Sequence, residues 1–263
     1  VRVRALSGVA GPVVFTAAWV GGSLCQAGHG ALSVQLSGLA APDARNPWIM
    51  ITGFLVLGGC TVWFGQELAG EVSGPAPRLI QGAGVLTVAA GLLRRDHMEL
   101  TSGPVSWHNE AHNAVSLLLY VDLVAAQLLL ARRFGTIPCW RPWRRYLLAS
   151  GIATAVALAV FLPNTASPSA GLRQRIAVTI PLAAMAAVAA RLARLPASPC
   201  GRTRQGASGS EMRRPSAGTD LSIAQSTCSI SVDCAIGMAA RHHGGAGRGD
   251  HRRSGSGGQS FED

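Results

Sequence analysis

From residue 46 to residue 66 the chain carries no charged side chain, an uncharged window of 21 residues. At about 1.5 Å of rise per residue, a helix of that length crosses the ~30 Å hydrocarbon core of a bilayer. The apolar centre of this window, 48–65, has five companions, at 9–24, 79–93, 111–131, 146–162 and 176–190. A backbone in lipid must satisfy its hydrogen bonds within one segment or within a closed barrel. No barrel-like alternation is present, so the pattern predicts an all-α fold, a six-helix transmembrane bundle. The third run has only 15 residues, which puts its ends near the interfaces; the fourth contains Asp122 and the sixth Pro181. Gly and Ala are frequent in these runs, as close helix packing in lipid requires.

Arg2 and Arg4 precede the first run, and Ala40 and Ala41 follow at some distance. A cleavable signal peptide has that order, but its core is shorter and no further spans need follow it. An uncleaved first helix is the favoured reading.

Composition divides the chain into a membrane domain, 1–195, and a Gly/Ser/Arg-rich tail, 196–263. The tail has no sustained apolar period, cannot bury enough surface to offset its chain entropy, and is expected to be disordered. Its His242–His243 pair reads as solvated. The net charge is +10, and all 23 basic residues are Arg. Arg content alone suggests a nucleic-acid-binding tail, but no aromatic interleaving or recognisable module accompanies it. No nucleic acid partner is expected; the expected partner is the lipid bilayer.

The Arg residues beside the spans set orientation. With the N-terminus in the cytoplasm, the inner connections and flanks carry ten Arg and the outer ones five. The inner loop 132–145 alone has five Arg and no acid. Both termini are therefore expected to be cytoplasmic. The six Cys residues, at 25, 60, 139, 200, 228 and 234, form no CxxC pair and read as small hydrophobes or bystanders.

The polar connection 91–116 (GLLRRDHMELTSGPVSWHNEAHNAVS) concentrates Asp96, His97, Glu99, His108, Glu110 and His112. With GPVVF at 11–15, GHGALSVQLSGLA at 28–40, ARRF at 131–134 and GLRQR at 171–175, it resembles a bacterial membrane family, domain of unknown function 998. The resemblance covers most of 9–194 and none of the tail. The family's G-x-F-P-x-D-P stands here as Gly91-Leu-Leu-Arg-Arg-Asp96-His, and its H-x-x-x-H-D as His108, His112 and then Asn113. Ser37 and Leu39 match, whereas His29 and Ser33 replace an aromatic and an Arg. The resemblance implies a multi-pass protein of the bacterial plasma membrane and brings no reaction with it.

His108 and His112 are four residues apart, so on a helix both imidazoles share a side. The HNEAH sequence is not the HExxH of zinc proteases. Asp96 closes the third span, His108 and His112 open the fourth, and Ser37 and Arg175 fall on the same outer face. A divalent metal held by Asp96, His108 and His112 with an open position for water would be a hydrolytic site, with Asp96, His112 and Ser37 as catalytic candidates. The structural alternative, a network capping helix ends, is favoured. Asp122 lies about ten residues, or ~15 Å, along the fourth helix from His112. An ionisable group at that depth is a suspect for proton coupling, against a protonated Asp bonded to a neighbouring helix. Two functions follow: a non-enzymatic envelope or transport protein, and a membrane-embedded metal-dependent hydrolase acting on lipid-like substrates at the outer interface.

Overall fold

The computed structural model describes residues 2–26, 30–98 and 105–195. The expectations for the 196–263 tail, for His29, Glu99, His242 and His243, and for Cys200, Cys228 and Cys234 lie outside these residues. The described residues form six α-helices: α1 (Val3–Leu24), α2 (Pro47–Glu71), α3 (Ala76–Leu92), α4 (Trp107–Phe134), α5 (Trp143–Phe161) and α6 (Ala170–Arg194). A 3-10 turn, Ser37–Ala40, lies between α1 and α2, and a second, Leu162–Asn164, follows α5. No strand occurs among the described residues. Five helices are long and apolar enough to cross a membrane; α3, with 17 residues, is shorter.

Several helices overrun the apolar runs that announce them. α1 begins at Val3, and α4 gains a polar turn from Trp107. A helix end in the interfacial layer keeps its backbone bonds while its polar side chains meet water, so hydropathy stops before the helix does. The starts themselves have local causes. Pro47 opens α2 at a position where a missing N–H costs nothing. Ser106 caps α4 by accepting from the Asn109 backbone N–H at 3.4 Å.

The helices alternate in direction. Each packs on its neighbours in the chain, and α6 closes against α1, so the six form a ring. The α2–α3 contact depends on two glycines facing each other. A Cβ on Gly58 would lie 2.6 Å from the Gly84 carbonyl oxygen, and one on Gly84 would lie 2.7 Å from that of Gly58. Only backbone against backbone fits there. At one end of the ring Phe64, Leu68, Phe134, Trp140, Leu147 and Leu192 form the main core, with Phe134 and Trp140 stacked at 4.3 Å. At the other end Phe15, Leu39, Met50, Phe54 and Met98 form a second.

The outer surface is apolar. Val13, Val85, Leu118, Val121, Ile152 and Val156 all project outward from the middle parts of their helices. Trp48 and Trp107 stand exposed at one end of the ring and Tyr146 at the other, where amphipathic rings favour the membrane–water boundary. In water such a belt would aggregate; in lipid it is the solvent-facing surface, and packing rather than water exclusion holds the helices together.

The Arg-rich end is tied by polar contacts. Arg2 donates to Glu71 at 2.5 Å, and Arg133 donates to Ser73 at 2.6 Å. Arg191 donates to the Cys139 carbonyl at 3.2 Å and lies 5.8 Å from the centroids of both Trp140 and Trp143. Cys25 and Cys60 are free thiols.

Candidate functional site

At the end opposite the Arg-rich loop, three connections and the start of α6 meet. Gln35, between α1 and α2, holds them together. Its side-chain N–H donates to the Thr165 carbonyl at 2.7 Å, beyond α5, and its carbonyl accepts from Arg95 at 3.0 Å, beyond α3. Next to it the Leu36 backbone N–H donates to Gln174 of α6 at 2.6 Å. Gln174 in turn donates to the Tyr120 phenol of α4 at 3.2 Å. Gln35, Gln174 and Arg95 are all buried, so these bonds satisfy groups that have little access to water.

The residues singled out from sequence separate into distinct settings. His112 is buried, at 4% exposure. Its Nδ1 lies 3.0 Å from the Ala90 carbonyl and 2.7 Å from that of Leu93, and its Nε2 lies 3.3 Å from the Ser116 hydroxyl. A carbonyl only accepts, so Nδ1 carries the proton and Nε2 is the acceptor. The ring thus ties α4 to the open carbonyls at the end of α3. His108, one turn earlier, is exposed and stacks on Trp107 at 3.6 Å. The shared helical side predicted for the pair does not give a shared environment, because α3 ends level with His112 and leaves His108 uncovered.

Asp96 accepts from the Ser106 backbone N–H at 2.8 Å and from the Ser106 hydroxyl. These two bonds hold its carboxyl below the usual carboxylate range, with His97 and His108 adding smaller effects. Asp96 therefore belongs to the α4 cap. Asp43 accepts from the Met98 N–H at 2.8 Å and lies 3.6 Å from His97. Among the described residues no group of three or more His, Cys, Asp or Glu side chains is gathered as metal ligands. The structure does not bring Asp96, His108 and His112 to a common point.

Ser37 is buried and shares a cavity wall with His112. Arg175 is buried as well but turned elsewhere. It donates to the Val34 carbonyl at 2.8 Å and to Ser23 at 3.1 Å, with its guanidinium 5.2 Å from the Trp19 centroid. Asp122 is half-buried on α4 and sits against α3 at Gly82, where a Cβ would lie 3.0 Å from its carboxylate. Among the described residues it has no hydrogen bond to a neighbouring helix, so the bonded arrangement expected for it is absent there.

A series of cavities with shared walls occupies this region. Two at the end of the bundle, about 200 and 270 Å³, share Gln35, Arg95 and Thr165. The larger shares Ser37, His112, Ser116, Tyr120 and Gln174 with an interior cavity of about 60 Å³. That one shares Thr61, Leu123, Pro181 and Met185 with a last of about 40 Å³. The lining passes from polar at the end to almost wholly apolar inside. Sequence reasoning missed Gln35, Arg95, Ser116, Tyr120 and Gln174. Gln174 stands beside the flagged Arg175, and an amide at the edge of an apolar run was the available signal.

An all-helical ring with an apolar exterior, aromatic ends and a polar-to-apolar interior defines a multi-pass membrane protein. Within that class the chain belongs to the family described as Protein of unknown function (DUF998), whose model matches residues 9–191. No curated protein and no solved structure matches the chain.

Proposed function

We propose that this is a six-span protein of the bacterial plasma membrane, with both termini cytoplasmic, whose bundle holds a lipid-like molecule in a non-enzymatic envelope or transport role. The observation that carries the reading is the cavity series, polar at the outer end and apolar toward the middle of the ring. That gradient matches an amphiphile entering headgroup-outward. The short α3 counts as the sixth span because its neighbours α2 and α4 are spans and run the opposite way. His112 and Asp96 are engaged in holding helix ends, which supports a structural role for both. A fatty acid carrying a diazirine in its chain tests the reading in native membranes. Adducts are expected on cavity-lining Leu119, Leu123, Val178 or Leu182; adducts confined to outward-facing Leu118, Val121 and Ile152 would show only surrounding lipid.

One contact favours a second reading, a hydrolase that acts on lipid-like substrates without a metal. The Ser116 hydroxyl meets His112 Nε2 at 3.3 Å within the cavity wall, and the fixed Nδ1–H leaves Nε2 free to take a proton. That is the relation of a serine nucleophile to its base. A fluorophosphonate probe decides it: an adduct on Ser116 that disappears in His112→Ala supports hydrolysis, and an unlabelled Ser116 supports binding alone.

A further inference from the structure

We infer that Arg95 is the headgroup-reading cation of a site for an amphiphile with a phosphate or carboxylate headgroup. The inference rests on the reading that the cavities take a lipid-like molecule, and it adds which class of molecule.

Arg95 is only 5% exposed. One terminal nitrogen donates to Gln35, and Nε has no hydrogen-bond partner. Among the described residues no carboxylate lies within ion-pair distance of it. Asp96, its neighbour in the chain, is turned to Ser106. Burial lowers the guanidinium from its ordinary value and the nearby Asp96 charge raises it, yet an arginine keeps its proton in proteins. Among the described residues, then, this buried positive charge has a neutral amide as its partner. Such a charge is costly unless an anion completes it.

Gln35 cannot swing away to free the guanidinium, because Thr165 holds its other end. The unsatisfied donors therefore border the two end cavities that Arg95 lines. Across the larger one stands the Tyr120 phenol. Its oxygen already accepts from Gln174, so its own proton remains available to an anion. At about 270 Å³ the larger cavity falls just under the usual range for small-ligand pockets; it has room for a headgroup and not for a long chain. Leu117 and Leu162 line the same cavity and are 49% and 40% exposed. They mark an apolar opening between α4 and the end of α5 through which the molecule enters from lipid, its tail following the shared wall into the interior cavity. An arginine fork against phosphate or carboxylate is the pairing that guanidinium geometry suits.

The test uses the full chain in nanodiscs of zwitterionic lipid. Binding of fluorescent-tailed lysophosphatidate is compared with a monoacylglycerol carrying the same tail. Wild type is expected to prefer the phosphate by about tenfold or more, the worth of a charge-assisted hydrogen bond. Arg95→Gln is expected to lose the preference and keep the weaker tail-driven binding; Arg95→Lys is expected to retain part of it. Equal binding of the two lipids by wild type, or a preference that survives Arg95→Gln, would overturn the inference while leaving the cavity reading intact. No saturable binding of either lipid would overturn both. Inorganic phosphate should not displace the lipid at millimolar concentration; if it does, the site serves a free anion and the amphiphile is wrong. The wild-type comparison stands even if Arg95→Gln fails to fold.

Discussion

Ser106 joins two roles in one side chain: its hydroxyl caps α4 and its N–H and O–H hold Asp96. Ser106→Ala is expected to cost about 0.5–2 kcal/mol, the usual value of a lost N-cap, read from thermal unfolding in detergent. Asp96 adds a pH signature. Its folded-state carboxyl titrates below the ordinary carboxylate value, so its stabilisation is fully present above about pH 4 and is lost as pH falls through the lower folded value. The thermal midpoint of the wild type should drop over that acid range, and Ser106→Ala should flatten this part of the profile. An identical acid slope in both proteins would separate Asp96 from the cap.

At the scale of elements, the α2–α3 contact is the tightest joint in the ring, with Gly58 and Gly84 in mutual backbone contact. Gly84→Leu is expected to force the pair apart and lower stability by at least about 1–3 kcal/mol, the range for overpacking. Gly59 has open space around its Cβ position, so Gly59→Ala should leave stability nearly unchanged and serves as the control. Orientation is set at this scale too. The ten-to-five Arg asymmetry predicts a cytoplasmic 132–145 loop. Arg bias acts over all the connections during insertion, so the expectation draws on every loop together. A reporter fused after Arg145 is expected inside and one in the 93–106 connection outside; the reverse result would overturn that orientation.

For the whole molecule, the six helices close their ring within residues 3–194. A chain truncated after Ala197 is expected to insert, to stay monodisperse in detergent and to unfold at the same temperature as the full chain. Aggregation of the truncated chain beside a well-behaved full one would show that the tail packs on the bundle. Much of this architecture was legible beforehand. Helix positions, the membrane class and the family were readable from uncharged runs and ordered short motifs, because solvation by lipid acts on each segment separately. Pairwise meetings were not. His108 and His112 look equivalent at four-residue spacing, yet the level at which α3 ends buries one and exposes the other. Asp96 reads as a ligand until Ser106, ten residues on, is seen to hold it. Arg95 reads as a topology signal like its neighbour Arg94, and only the fold of three connections around Gln35 makes it a buried cation lining a cavity. By itself, then, the sequence determined which segments enter the membrane and which family they form, since those depend on local transfer free energies. The tertiary structure decided which polar groups share an interior, because that depends on where distant connections are brought to the same end of the ring.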